Sequence, residues 1–281
     1  MSDVHPVIEK FDATAQKHII TFSQTPVVWR CWGEGKPLVL LHGGYGSWLH
    51  WIKNLEALSA RFRLLVPDIP GHGESQPAPE DWTAEWMGAA LAHGVEALVT
   101  DDSPVVGAGF SMGGLMLGHL GAVLRDRLTH AVFVGPNGMG CSYPPMPKLA
   151  SVRKLGPEPT PEAVTAVHRH NLGALMLSSE RHADDLAVAV QRLNIGHKPL
   201  NTEHLPISDV LARVLPQVSA RFGGIWGTLD AFCGPYLSER ERALRLHDPS
   251  LDFRVVEGAG HWVNYEAPNT VNELLCELLI R

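Results

Sequence analysis

Val105-Val106-Gly107-Ala108-Gly109-Phe110-Ser111-Met112-Gly113-Gly114-Leu115-Met116-Leu117 contains no charged residue. It begins as a short apolar strand, passes through Gly109-Phe110-Ser111-Met112-Gly113, and continues with the three- and four-residue apolar spacing of a helix. The central five residues match G-x-S-x-G, a pattern that sets a serine on a strained strand-to-helix turn while glycines keep side chains away from it. The surrounding uncharged stretch, 103–124, is about as long as a membrane span. Its six glycines, with Ser111 and His119, divide it instead into a buried strand, a tight turn and a closely packed helix.

On either side of this unit the same alternation recurs. Residues 18–22 and 27–32 read as an antiparallel hairpin, while 37–41, 62–66, 104–107 and 129–134 read as buried strands followed by loops. Helical periodicity fills 48–60, 83–99 and 112–124. Parallel strands joined by helical crossovers follow, giving an α/β, doubly wound sheet. Past Asn137 six prolines, at 144, 145, 147, 157, 159 and 161, interrupt the chain, and only helical patterns continue to about 215. Strands resume at 221–226 and 251–256, and an amphipathic helix closes the chain at about 269–280. One core, 1–136 with 216–281, interrupted by a helical insertion at 137–215, is the expected organisation; no internal repeat is evident.

Composition narrows the function. The 281 residues are 45% hydrophobic and 19% charged, enough apolar surface for a sizeable core. With 23 Lys and Arg against 30 Asp and Glu, the net charge of -7 has the wrong sign for a chain that neutralises phosphates, so nucleic acid is not expected as a partner. Neither a membrane nor a secretory leader is expected, since Asp3, His5, Glu9 and Lys10 break any apolar run at the start; the cytoplasm is the expected compartment. The four cysteines are far apart and suggest neither disulfides nor a zinc site. His168 and His170 point about 200° apart on a helix and cannot share a metal. Glu239-Arg240-Glu241-Arg242 reads as a solvated helix face, and Trp29, Trp32, Trp48 and Trp51 as packing residues. No metal or cofactor is expected.

A serine hydroxyl needs a base to take its proton and a carboxylate to orient that base. Asp230 follows the strand ending at Trp226, and His261 follows the strand ending at Val256, so both stand where α/β sheets carry their sites. Asp248 and Asp252 precede the last strand and are weaker rivals. Leu41-His42-Gly43-Gly44-Tyr45 after a strand offers backbone N–H groups for an oxyanion, with the amides of Gly44 and Met112 as donors.

Four blocks, His42-Gly43-Gly44, Asp68-Ile69-Pro70-Gly71-His72-Gly73-Glu74-Ser75, Gly109 to Gly114, and Gly260-His261, together resemble the α/β-hydrolase family over essentially the whole chain. The resemblance implies a mostly parallel central sheet flanked by helices, with a helical cap at 137–215 between the sixth and seventh core strands. It implies Ser111 as nucleophile, Asp230 as acid and His261 as base, with Asp68 and His72 as structural turn residues. Some relatives place the acid after the sixth strand, where this chain has Pro136-Asn137; a neutral Asn cannot stabilise an imidazolium as a carboxylate does. Relatives with an Asp nucleophile are set aside by Ser111.

Ser111-Met112-Gly113-Gly114, Gly135-Pro136-Asn137-Gly138-Met139-Gly140 and Gly260-His261-Trp262 are further similar to the carbon–carbon bond hydrolases of aromatic ring-fission products. Those enzymes carry Asn before the serine, where this chain has Phe110, and Gly-Gly-Gly-Pro-Gly after the histidine, where it has Gly43-Gly44-Tyr45-Gly46-Ser47. They hold the substrate carboxylate with a cap arginine, for which Arg192 is the counterpart here. Phe110, Trp262 and Arg192 are therefore the candidate pocket residues. The expectation is a cofactor-independent serine hydrolase acting on a small carboxylic ester or related acyl bond through an acyl-enzyme. The alternatives are a hydrolase of 2-hydroxy-6-oxo-dienoates and a non-catalytic ligand-binding protein on the same fold. The partner is a small-molecule substrate, and the oligomeric state, homo-oligomer included, is left open.

Overall fold

The computed structural model describes residues 4–197, 199–202 and 204–280. Eight strands form one sheet: β1 (Gln16–Phe22), β2 (Thr25–Trp32), β3 (Pro37–Leu41), β4 (Arg63–Pro67), β5 (Val105–Phe110), β6 (Leu128–Val134), β7 (Arg221–Gly227) and β8 (Asp252–Val256). Their order across the sheet is 1-2-4-3-5-6-7-8. The hairpin β1–β2 and the pair β2–β4 are antiparallel, and every later pairing is parallel. The helices are α1 (Pro6–Thr14), α2 (Leu55–Ser59), α3 (Ala84–Leu98), α4 (Met112–Leu124), α5 (Pro161–Leu175), α6 (Asp185–Gly196), α7 (Val210–Val214), α8 (Leu237–Arg245), α9 (Val263–Glu266) and α10 (Pro268–Ile280).

Because side chains alternate across a strand, each central strand feeds two cores. On β3, Leu38 and Leu40 join the layer that contains Val271, Leu275 and Leu279 of α10. Val39 and Leu41 join the opposite layer with Leu91 and Val95 of α3 and Leu115 and Leu120 of α4. Between β6 and β7 the described residues form α5, α6, α7 and short 3-10 turns, and no strand. Leu172 of α5 and Leu186 of α6 pack into the first layer, and Leu211 and Val214 of α7 into the second. Among the described residues no helix is long and apolar enough to cross a membrane.

Three local readings change. Residues 48–60 are not one helix: a 3-10 turn at Trp48–Trp51 precedes α2, because Trp51 donates Nε1–H to Leu41 O at 3.0 Å and holds the turn against β3. Strand β5 runs on to Phe110, beyond the expected end at 107, since both of its neighbours remain paired up to Gly109 or Phe110. Helix α1 lies in a stretch with no assigned element; His5 caps it, Pro6 begins it, and Trp32 Nε1–H to Phe11 O at 3.2 Å ties it to β2.

Candidate active site

The C-terminal ends of β3, β5, β6, β7 and β8 lie along one edge of the sheet, and the loop after each contributes to one cluster. Ser111 occupies the turn between β5 and α4 with φ +53° and ψ -119°. A non-glycine residue held there stores strain of roughly 1–3 kcal/mol, which the surrounding packing must maintain. The neighbouring glycines are required by space. A Cβ on Gly109 would lie 2.3 Å from Gly113 O, and one on Gly113 would lie 2.3 Å from Leu41 O. Ser111 N–H donates to Val134 O at 2.9 Å, which docks the turn on the end of β6.

Asp230 and His261 are each 2% exposed. Asp230 Oδ1 accepts from Phe232 N–H at 2.8 Å, and Oδ2 faces His261 Nδ1 at 2.9 Å. A carboxylate at Nδ1 holds the hydrogen there and leaves Nε2 as the ring's acceptor. The ring is flanked by Phe232 at 4.4 Å and Phe110 at 5.0 Å between centroids. Gly135, with φ +51°, closes the other side; a Cβ there would stand 3.3 Å from Asp230 Oδ2 and 3.4 Å from His261 Nδ1. The rival acids are engaged elsewhere, Asp248 with Phe222 N–H and Ser250, and Asp252 with Arg254.

The β3 loop brings Gly44 close to Met112: a Cβ on Gly44 would lie 3.8 Å from Met112 Cβ and 3.1 Å from Thr202 Oγ1. Among the described residues neither the Gly44 nor the Met112 amide donates a hydrogen bond, so both donors are available to a ligand. Two buried histidines set this loop, and a third, His72, packs its ring 5.3 Å from that of His42. His42 Nε2 accepts from Ile69 N–H at 2.9 Å and its Nδ1–H donates to Gly43 O at 2.8 Å, while His50 Nδ1 accepts from Gly43 N–H at 3.2 Å. Burial lowers His42 to about 4 and His72 to about 3. Burial, reinforced by His42, His261 and His72 nearby, drives His50 well below the ordinary range. These rings are neutral near pH 7.

The three candidate pocket residues separate. Phe110 is fully buried, wedged between His50 and His261. Trp262 is also buried, stacked on Tyr265 with its Nε1–H on His50 O at 2.9 Å, which anchors the His261 loop. Arg192 is exposed on α6; the neighbour whose charge it affects is His168. The same helix turns Asn194 inward, to Ser47 Oγ at 2.7 Å. Arg240, read as part of a solvated face, is instead buried at 3% exposure. It lies over the Tyr143 ring and donates to Phe232 O at 3.1 Å, supporting the Asp230 loop. Cys233 nearby is pushed up to about 12 by burial and is no thiolate.

Sequence reasoning weighs Asn137 only as a replacement for an acid and, finding it neutral, gives it no role. Its Nδ2 donates to Ser111 Oγ at 3.1 Å, and the side chain is 5% exposed. The signal was its place after β6, equivalent to that of Asp230 after β7; asking only for a carboxylate there leaves out an amide that donates. Glu266 is a second omission. Its carboxylate accepts from Gly260 N–H at 2.8 Å and Ser178 N–H at 3.0 Å, binding the His261 loop to the turn after α5. Among the described residues no three His, Cys, Asp or Glu side chains are placed to hold a metal.

A model of the alpha/beta hydrolase family matches residues 38–274. The chain belongs to the alpha/beta hydrolase family. This hydrolase is similar to the 2-hydroxy-6-oxo-6-phenylhexa-2,4-dienoate hydrolases of Burkholderia cepacia, 27% identical over 88% of each chain, and of Comamonas testosteroni, 28% identical over 88% of each. In structure it resembles a thermophilic esterase from Thermogutta terrifontis, 24% identical, with a TM-score of 0.68 over 94% of this chain and 97% of that one. It also resembles naproxen esterase from Bacillus subtilis, 18% identical, with a TM-score of 0.73 over 99% and 98%. At these identities the structural likeness speaks to the fold alone.

Proposed function

We propose that this hydrolase cleaves a small, neutral carboxylic ester or related acyl bond through an acyl-enzyme on Ser111. His261 Nε2 removes the proton of Ser111 Oγ as Oγ attacks the acyl carbon, and Asp230 holds the ring in the required tautomer and stabilises the imidazolium. The amides of Gly44 and Met112 bind the developing oxyanion. His261 then returns the proton to the leaving oxygen, and water repeats the cycle to release the acid. The single observation that carries this reading is the buried Asp230–His261 hydrogen bond at 2.9 Å beside the strained Ser111 turn. The preference for a neutral acyl group rests on Phe110 and Phe232 lining the His261 ring, with Arg192 exposed on the helix surface.

A second reading, hydrolysis of a carbon–carbon bond in a 2-hydroxy-6-oxo-dienoate, is favoured by sequence relatives with that activity that match 88% of both chains. One screen separates the two. Short p-nitrophenyl esters and ring-fission acids are assayed with the wild type and Ser111→Ala in parallel. Ester turnover that falls by on the order of 10⁴ to 10⁶ in Ser111→Ala is the expected result. Unchanged turnover in that variant removes Ser111 as nucleophile, and a hundredfold preference for ring-fission acids transfers the assignment to the second reading.

A further inference from the structure

We propose that Asn137 is a further catalytic residue, acting on Ser111 Oγ when that oxygen is the leaving group in deacylation. The proposal rests on Ser111 being the nucleophile. Three observations support it. The Asn137 amide is buried and its Nδ2 lies 3.1 Å from Ser111 Oγ. The loop that carries it is fixed at both ends: Gly135 N–H donates to Ile225 O at 2.9 Å, Gly138 N–H donates to Pro206 O at 3.2 Å, and Gly138 O accepts from Leu211 N–H at 2.7 Å. The donor is thus held in place before any substrate arrives. Finally, Oγ can accept from Asn137 and still donate its own hydrogen to a base, so the contact does not compete with His261 for the proton.

The state of Oγ explains why deacylation is the affected step. In the free enzyme Oγ is a hydroxyl oxygen, already a good acceptor, so a donor stabilises the starting state of acylation about as well as its transition state. In the acyl-enzyme Oγ is the bridging oxygen of an ester, whose lone pair is delocalised into the carbonyl and accepts weakly. Water then loses a proton to His261 Nε2 while its oxygen bonds to the acyl carbon. The carbon–Oγ bond breaks, its electron pair remains on Oγ, and the imidazolium proton passes to Oγ, regenerating the serine. Charge grows on Oγ during this step alone among those in which it starts as a poor acceptor. A fixed donor at that position therefore binds the transition state better than the ground state, the condition for raising a rate.

Rapid mixing with p-nitrophenyl butyrate measures the two steps separately, with the nitrophenolate burst reporting acylation and the steady phase reporting deacylation. In Asn137→Ala the deacylation constant should fall about tenfold, the scale of one ordinary hydrogen bond. The acylation constant should stay within about threefold, so kcat and KM fall together and kcat/KM holds. Acyl-Ser111 should accumulate and be visible by mass spectrometry. Asn137→Asp, which keeps the shape if the alanine variant misfolds, should slow deacylation at least as much, because a carboxylate repels charge on Oγ. Equal slowing of both steps would reduce Asn137 to a residue that merely places Ser111 and overturn the proposal; so would wild-type deacylation in Asn137→Asp. An absence of acyl-Ser111 in the wild type would sink the nucleophile assignment and the proposal with it.

Discussion

Two buried carboxylates lie on opposite parts of this sheet and have opposite surroundings. Asp68, in the loop after β4, meets Arg30 Nη1 at 3.1 Å and also accepts Trp48 N–H at 2.9 Å and Glu74 N–H at 3.0 Å. Arg30 is itself fully buried and is shared with Asp12 and Glu74, its plane lying 4.9 Å from the Trp48 ring. Burial disfavours the Arg30 charge, yet the carboxylates of Asp68, Glu74 and Asp12 outweigh burial and raise its pKa. Asp230, after β7, has one backbone N–H and one imidazole as partners. At Asp68 the partner is a guanidinium that keeps its charge, offsetting part of the burial that pushes the Asp68 carboxyl above its ordinary range. At Asp230 the partner is a ring that can gain a proton at its far nitrogen. A buried carboxylate paired with a cation that keeps its proton holds the fold together, whereas one whose partner can change protonation state can do chemistry.

That contrast can be broken most directly at Asp230. Asp230→Asn should lose on the order of 10³ to 10⁴ in kcat with little change in stability, while Asp248→Asn stays within about threefold; steady-state ester hydrolysis with thermal melts for each variant tests both halves. Loss of activity in Asp248→Asn alone would move the acid across the last core strand. At the other carboxylate the pattern should invert. Arg30→Met leaves Asp68 buried without its cation and should cost about 3–5 kcal/mol in urea unfolding, while kcat of the remaining folded enzyme changes by less than about threefold.

Acid should sharpen the comparison from a third direction. His42 at about 4, His72 at about 3 and His50 well depressed all bind protons more readily unfolded, where histidine titrates near 6.5. Their folded values are depressed, so the stability they contribute is complete above about pH 6.5 and is lost as the pH falls toward 4. Tm should drop by at least about 5 °C between pH 7 and pH 5, and a His72→Gln variant should flatten that slope. A Tm unchanged over that interval would mean that these rings are already charged in the fold. The smallest effect concerns Arg192. Exposed on α6, it should tolerate Ala with kcat/KM for a neutral ester within about twofold; a loss of tenfold or more restricted to ring-fission acids would instead give it the carboxylate.

Much of this molecule was legible before folding. The α/β class and the strand-turn-helix unit around Ser111 depend on short-range signals: apolar periodicity, and glycines where a Cβ would clash. Such signals survive in one dimension because a strand or a tight turn imposes its demands on residues only a few positions apart. Other features became visible in three dimensions alone. Arg240 has the sequence context of a surface helix yet lies buried over the Tyr143 ring, because α8 packs its Arg240 side against the Asp230 loop. Arg192 and Asn194 are two residues apart on α6, and only the docking of that helix decides that the asparagine faces Ser47 and the arginine solvent. Asn137 meets Ser111 across 26 residues because β5 and β6 are parallel neighbours with their ends in register, so the loops that follow them converge. Local sequence determines which side chains are available at the ends of the strands. Which of them touch is decided by sheet order and helix docking, which sum many weak contacts between residues far apart in the chain.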